Sequence, residues 1–250
     1  MTITAKGQTH VGLVKPANED SWLIKPLNDS TQLVLVADGV SGSKHGEVAS
    51  QQTVDTFNTL IDSGKLTAIN DEGMRGMLLT MAVQRAHIDI SRQGQENADY
   101  RFMACTCIVA IVDETSVCAN QVGDSRLYLL SKGQLTQMTQ DQTVARQLLA
   151  AGRITEDALL THPDRNALSQ ALGVEAVGQP LEPELVEFTW QKGDKLLLCS
   201  DGLSDLVKAD EIKAIISRQE EQDVRTQMLI QAALDGGGKD NITVILLENN

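Results

Sequence analysis

Two aspartates in this chain directly follow long apolar segments and are themselves followed by glycine. Asp38 comes after the run QLVLVA at 32–37, and Asp201 comes after KLLLCS at 195–200. A carboxylate at the end of a buried strand is costly unless a donor or a cation holds its charge. These two positions therefore indicate a site that holds negative charge.

Three further aspartates have the same setting. Asp20 precedes a strand-like run, Asp124 lies between two such runs, and Asp240 opens the last one. Five carboxylates at one sheet edge would repel each other unless cations lay between them, and oxygen-only ligands favour Mg²⁺ or Mn²⁺ over zinc. Two such ions can share a water, lower its pKa and hold it for attack on phosphorus. The alternative for each aspartate alone is an ordinary turn residue, which is a much weaker explanation for all five together.

The composition is that of a globular protein with an acidic surface. The 250 residues carry a net charge of -13, and 42% of them are apolar. This length suits one domain, and the negative charge argues against non-specific nucleic-acid binding, which needs a basic face. Neither a signal peptide nor a membrane-spanning run is visible, and the four cysteines lie in apolar, strand-like runs. We therefore expect a cytoplasmic protein with reduced thiols, no nucleic-acid partner and no membrane partner.

The elements that would position the aspartates follow from the apolar patterns. Seven short apolar runs predict strands: 32–37, 107–113, 116–122, 126–131, 184–190, 195–200 and 241–248. The connections VDETS and SKGQL are typical of hairpins, so the sheets should be largely antiparallel. Because strands and helices do not alternate strictly, the pattern favours an α+β arrangement with helices packed on antiparallel sheets.

Four helices are predicted from apolar spacing and end signals. The first covers Gly46 to about 61, and the second covers about 71 to 92 and is stopped by Gly94. The third has Asp210 as its N-cap and extends through 217, and the fourth covers 222–234. In the second helix, a stripe of apolar residues predicts that methionines fill the core. Its members are Met74, Met77, Leu78, Met81 and Ala82.

Taken in chain order, the motifs resemble the metal-dependent Ser/Thr protein phosphatase family, also called PPM or type 2C, in its compact bacterial form. They are GLVKPANED, VADGVSGSKHGEVAS, MACTCIVAIV, VGDSRLYLL, HPDRNALSQALG, LLLCSDGLSD and GGGKDNITV, and they extend from residue 12 to 248. The resemblance implies a single domain over 1–250 with two stacked antiparallel β-sheets flanked by α-helices on both faces. It also implies an Mn²⁺- or Mg²⁺-dependent hydrolase for phosphoserine and phosphothreonine of proteins, which works by direct attack of a metal-bridging water.

The resemblance transfers roles to matching positions. Asp20 matches a metal ligand and Asp38 matches the ligand that bridges both ions, so these two form the catalytic pair. The other implied ligands are the carbonyl of Gly39, the carboxylates of Asp201 and Asp240, and Asp124, which shares a third, weaker ion position with Asp201. Glu19 is expected beside Asp20, one step removed from the ion.

Lys15 departs from the family pattern, which usually has arginine at this position. Lysine keeps the charge but loses the planar, two-pronged geometry. We expect Lys15 to bind the substrate phosphate less tightly, and the alternative is a solvated surface lysine. The change is also the only support for a rival function, a phosphatase-like module that binds phosphoproteins without catalysis. A second rival is a two-metal phosphohydrolase for nucleotides or sugar phosphates.

The stretch from about 141 to 178 is polar and lies between strands. Its segment TVARQLLAAGRIT predicts a short helix ended by Gly152. In relatives such an insert forms a mobile flap over the metal site, and we expect it to select substrates here. The resemblance further implies a bacterial Ser/Thr kinase as the upstream partner.

Overall fold

A computed structural model describes residues 2–40, 42–66, 72–159, 161–174 and 180–250. The strands are β1 Ile3–His10, β2 Ser21–Pro26, β3 Gln32–Ala37, β4 Cys107–Val112, β5 Ser116–Val122, β6 Arg126–Ser131, β7 Gln134–Gln137, β8 Glu184–Thr189, β9 Lys195–Cys199 and β10 Ile242–Asn249. The helices are α1 Gly46–Asp62, α2 Glu72–Glu96, α3 Val144–Ala150, α4 Glu156–Leu159, α5 Asp201–Ser204, α6 Ala209–Ile216 and α7 Gln222–Asp235, with a 3₁₀ turn at Ala98–Tyr100.

The strands form two antiparallel sheets that stack face to face. One sheet has the order β1-β10-β9-β6-β7 and the other the order β2-β3-β4-β5-β8. Helices α1 and α2 cover the outer face of the second sheet, and α6 and α7 cover the outer face of the first. The predicted α+β sandwich with helices on both faces is therefore confirmed.

Strand β3 shows why the apolar runs are continuous rather than alternating. Successive side chains of a strand point to opposite faces. Val34 and Val36 pack between the two sheets, whereas Leu33 and Leu35 pack under the helices with Phe57 of α1. Because both faces of the strand are buried, both sets of side chains must be apolar. Asp38, directly after the strand, lines a cavity.

The prediction that the methionines of α2 fill the core is wrong. Met74 is 41% exposed, and Met77 and Met81 are 54% and 56% exposed. The helix instead buries the neighbouring row, which includes Leu79 and Val83, against the sheet. Two apolar rows run along this helix, and the spacing alone does not reveal which one meets the sheet.

Two predicted helix ends also differ from the structure. Helix α2 continues through Gly94 to Glu96. A Cβ at Gly94 would lie 2.9 Å from the carbonyl oxygen of Tyr100, so this glycine allows close packing and does not end the helix. Lys208 rather than Asp210 occupies the N-cap of α6, and Asp210 lies in the first turn, where its charge suits the helix dipole.

The remaining element predictions agree with the structure within a few residues, including α3, which Gly152 follows with a φ of 66°. Strands β1 and β7 were not predicted. The four cysteines are buried free thiols. In the described ranges, no helix has both the length and the hydropathy to cross a bilayer.

Candidate metal centre

Asp20 lies just before β2 and is held by hydroxyl groups from two other strands. Its Oδ2 accepts hydrogen bonds from Ser200 Oγ at 3.0 Å and from Thr243 Oγ1 at 2.6 Å. Its Oδ1 is buried and has no hydrogen-bond partner. The carboxylate is thus fixed through one oxygen, while the other remains available as a ligand.

Asp38 follows β3, and its backbone is locked to the neighbouring strand. Its amide donates to Thr106 Oγ1 at 3.2 Å, and the amide of Thr106 donates to its carbonyl at 2.8 Å. The next residue, Gly39, sits where no side chain fits, because a Cβ would lie 2.6 Å from the carbonyl carbon of Gly46 and 2.7 Å from the oxygen of Glu19. Glycine is required here by this close approach of three backbone segments.

Asp201 comes from the first sheet, and Asp124 lies on the connection that crosses from β5 of the second sheet to β6 of the first. Asp124 lies in the β5–β6 connection and is 9% exposed, and Asp201 begins α5 directly after β9. Oδ1 of Asp201 is buried without a hydrogen-bond partner. Asp205, one helical turn further on, accepts a hydrogen bond of 2.6 Å from Asn166 and so ties the 141–178 segment to this side of the site.

Asp240 precedes β10 and contacts Lys15, which stands where the resemblance leads us to expect arginine. Lys15 Nζ lies 2.8 Å from Asp240 Oδ1. Burial alone would lower the pKa of Lys15, but its hydrogen bond to Asp240 and the charges of Asp240, Glu19 and Asp38 raise that pKa above the ordinary value. Lys15 is therefore a charged partner of Asp240 beside the carboxylate cluster, with 21% of its side chain exposed.

Asn241 joins the loop before β2 to the start of β10. Its Oδ1 accepts from the amide of Glu19 at 2.8 Å, and its Nδ2 donates to the carbonyls of Val11 and Ala17 at 2.8 and 2.9 Å. This clamp connects the chain on either side of Lys15 to the segment that carries Asp240.

The carboxylates affect one another strongly. Burial, followed by the charges of the other four aspartates, raises the pKa of Asp38 well above its ordinary value. Burial is also the main cause for three others: it raises the pKa of Asp20 to about 6, that of Asp124 to about 7, and that of Asp201 well above its ordinary value. The buried cluster therefore carries more negative charge than the protein itself offsets.

Four of the aspartates line one cavity of about 580 Å³. They are Asp38, Asp124, Asp201 and Asp240, and Asp20 is close enough for its charge to act on Asp38 and Asp201. In the described residues, no three His, Cys, Asp or Glu side chains are arranged to hold an ion as they stand.

The donor set nevertheless fits hard divalent ions. All the candidate ligands are oxygens, which favour Mg²⁺ and Mn²⁺. Buried polar atoms are normally satisfied, yet one oxygen of Asp20 and one of Asp201 have no partner. These two are the only carboxylate oxygens among the buried unpartnered side-chain atoms of the described residues, so they are candidate ligand atoms.

Part of the 141–178 segment lies over this cavity. Residues 166–171 and Val174 contribute to its lining. Residues 160 and 175–178 of the predicted flap lie outside the described residues.

Sequence reasoning found the carboxylates but missed the groups that orient them. Ser200, Thr243 and Asn241 received no role, although SDG and DN were recognised as motifs. Ser200 directly precedes Asp201, and Asn241 directly follows Asp240. Their only sequence signal is this adjacency, because Ser200 contacts Asp20 at a separation of 180 residues and Asn241 contacts Val11 at a separation of 230 residues.

Comparisons with known proteins agree with this geometry. The family described as Protein phosphatase 2C matches residues 7–234. The serine/threonine phosphatase Stp of Listeria welshimeri is 34% identical over 247 residues, which cover 98% of this chain and 96% of the relative. The crystal structure of Stp1 from Staphylococcus aureus has a TM-score of 0.89 at 32% identity and covers 99% of this chain and 95% of that one. The catalytic domain of PstP, solved with two manganese ions, has a TM-score of 0.80 at 32% identity and covers 98% of this chain and 97% of that one.

Proposed function

Since this chain belongs to the protein phosphatase 2C family, we propose that the cavity of aspartates is its active site and removes phosphate from serine and threonine side chains of proteins. As a member of that family the protein is a phosphoric monoester hydrolase, and Mn²⁺ or Mg²⁺ is its cofactor. The observation that carries the assignment to these residues is the buried carboxylate cluster with unpartnered oxygens on Asp20 and Asp201.

The proposed ion ligands are Asp20, Asp38, the Gly39 carbonyl, Asp201 and Asp240, with Asp124 and Asp201 at a third position. When bound, the ions offset the carboxylate and phosphoryl charges and lower the pKa of a water between them for direct attack on phosphorus. Glu19 supports this set through its backbone, which accepts from Gly39 N and Ser50 Oγ.

The chain's own residues supply orientation. Ser200 and Thr243 turn the free oxygen of Asp20 toward the cluster, and Thr106 fixes the backbone at Asp38. Lys15 is placed to exchange its contact with Asp240 for one with a phosphoryl oxygen. Its point charge then holds the substrate without the planar grip of an arginine.

The test is phosphopeptide hydrolysis by protein stripped with EDTA, measured with and without added Mn²⁺. Release of phosphate should require Mn²⁺ and should be lost in Asp38→Asn. The matched control is Asp235→Asn, an exposed helix-end aspartate whose side chain accepts a hydrogen bond from Gln231 and which should behave as the wild type. Binding of the phosphopeptide without turnover would instead identify a non-catalytic module, and preference for nucleotides or sugar phosphates would identify a different phosphohydrolase.

We further propose that the domain spans 1–250 and carries its flap at about 141–178, which selects substrates. The lining contributed by residues 166–171 supports this proposal. Replacing the flap should change preference among phosphopeptides more than turnover of a small aryl phosphate, and equal effects on both would contradict it.

The buried free thiols are consistent with a cytoplasmic location, and a bacterial Ser/Thr kinase is the proposed source of the substrates.

A further inference from the structure

The cavity of aspartates also has an apolar side that the chemistry at the carboxylates does not use. Its aliphatic residues, here called the apolar wall, are Val40, Ala104, Leu168, Ala171, Val174 and Leu181. We propose that the apolar wall receives an aliphatic side chain next to the phosphorylated residue, so that the enzyme favours phosphoproteins with aliphatic rather than acidic flanks. This inference rests on the proposed phosphatase function and specifies its substrate class.

The charges of the residues that line the cavity support an aliphatic rather than an acidic flank. Among the described residues that line the cavity, the charged ones are all aspartates, and none is lysine, arginine or histidine. Lys15 reaches Asp240 from outside this lining. An acidic flank would lose hydration and find no basic side chain within this lining, whereas an aliphatic flank would remove apolar surface from water on both partners. Arg126, Arg146 and Arg165 line an adjoining cavity that shares Asp124 and Asp201 with this one. A basic flank would find only aspartates that the bound ions already engage.

The wall is held rigidly on one side by a junction with the second sheet. Leu172, beside Ala171, exchanges two backbone hydrogen bonds with Cys105, of 3.2 and 2.8 Å. Gly173 adopts a φ of 91°, and a Cβ there would lie 2.5 Å from both Ile90 and the carbonyl of Met103. Val174 is thereby presented at a fixed position with 36% of its surface exposed.

The other side of the wall is held equally firmly. Leu168 pairs with Thr143 in an isolated bridge, and the amide of Ser169 donates to the carbonyl of Gln142 at 2.9 Å. The amide of Gln142 in turn donates to the carbonyl of Gly123, next to Asp124. Since the wall exists before substrate arrives, little ordering has to accompany binding.

The first experiment uses the wild-type enzyme loaded with Mn²⁺. One phosphothreonine peptide is prepared with Leu, Glu or Lys at the residue before the phosphothreonine, and separately at the residue after it. At one or both positions, kcat/KM for Leu should exceed that for Glu by about tenfold, equivalent to about 1.4 kcal/mol, and should exceed that for Lys. Equal values at both positions, or a preference for Glu or Lys, would overturn the inference.

The second experiment changes the wall. Val174→Lys should shift the Leu-to-Glu ratio of kcat/KM toward Glu by at least about fivefold, because it supplies the missing counter-charge. Val224→Lys makes the same change at an exposed valine of α7 and should keep the wild-type ratio. An unchanged ratio in a folded Val174→Lys protein would contradict the proposal, and the peptide series on the wild type decides the question should that variant not fold.

An aryl phosphate substrate separates failure of the apolar-wall proposal from failure of the phosphatase function. Mn²⁺-dependent hydrolysis of an aryl phosphate reports the phosphatase function alone, because that substrate has no flanking residues. A protein that hydrolyses the aryl phosphate but shows no flank preference refutes the apolar wall and leaves the function intact. A protein that hydrolyses neither substrate refutes the function itself.

Discussion

The pKa of Asp124 indicates how strongly burial and neighbouring carboxylates destabilise its ionised form in the metal-free protein. Burial raises the pKa of Asp124 to about 7 from an ordinary value of 3.8, and the charges of Asp141 and Asp205 add to this, while Arg126 opposes it. A group whose pKa is higher in the folded state stabilises the fold less as the pH rises through that pKa. Replacing Asp124 with the neutral and nearly isosteric asparagine should therefore stabilise the metal-free protein at neutral and higher pH.

The expected gain in the free energy of unfolding follows from the ordinary and the folded pKa of Asp124. The difference between 3.8 and about 7, at about 1.4 kcal/mol per pKa unit, corresponds to about 4 kcal/mol once the folded carboxyl is fully ionised, near pH 8. At about pH 5 the folded carboxyl is still protonated while the unfolded one is ionised, so the expected gain is only about 2 kcal/mol. The side chain of Asp124 is 9% exposed, so solvent screening reduces these values little.

The assay is urea unfolding of EDTA-treated wild type, Asp124→Asn and the exposed control Asp235→Asn at both pH values. We expect a larger free energy of unfolding for Asp124→Asn than for the other two, with the greater difference at the higher pH. Added Mn²⁺ should narrow the difference, because cations offset the wild-type carboxylate. Equal stability of Asp124→Asn and wild type in EDTA at the higher pH would refute the claim that burial, with the added charges of Asp141 and Asp205, makes the ionised Asp124 carboxylate destabilising.

Three further outcomes follow from single contacts. Thr243→Val removes the 2.6 Å hydrogen bond to Asp20, together with a 2.7 Å hydrogen bond to Thr9, and should weaken Mn²⁺ binding by about tenfold, in the range found for residues that orient ligands, as measured by calorimetry. Unchanged affinity would show that Asp20 needs no such support. Gly39→Ala places a Cβ 2.6 Å from the backbone of Gly46 and should destabilise the fold by about 3 kcal/mol, within the range for overpacking, which a thermal unfolding curve would reveal. Lys15→Ala should lower kcat/KM for a phosphopeptide by about tenfold, as expected for one charged hydrogen bond, and Lys15→Arg should keep or improve it; identical kinetics for all three proteins would make Lys15 irrelevant to phosphate.

The sequence predicted most of the sheets because their strands are buried on both faces and are therefore continuously apolar, as β3 and β9 are. Strand β1 was missed because its segment ITAKGQTH is largely polar and half exposed, so neither period nor apolar content marks it. The phase of α2 was misjudged because Met77 and Leu79 belong to adjacent rows of similar hydrophobicity, and only the neighbouring sheet determines which row is buried. Burial is decided by tertiary packing, which no local window contains.

Part of the candidate site was likewise predictable from the sequence, and part depends on tertiary contacts. The five aspartates were predictable because each lies at the end of an apolar run: Asp38 and Asp201 follow one, Asp20 and Asp240 precede one, and Asp124 lies between two. The side chains that orient them were not, because Ser200 and Thr243 are common strand residues whose importance lies in their 3.0 and 2.6 Å contacts with Asp20. Lys15 was recognised from its position, but only the structure places its ammonium group on Asp240.

The position of β10 has a consequence for how the protein is made. This strand inserts between β1 and β9 in the middle of its sheet, and the residues just before and at its start include Asp240, Asn241 and Thr243. The ribosome makes this strand after every other element described here, so a nascent chain without it lacks the proposed ion ligand Asp240, the clamp on the Lys15 loop and one support of Asp20. We therefore expect an unfinished chain to have no phosphatase activity until this region has been translated.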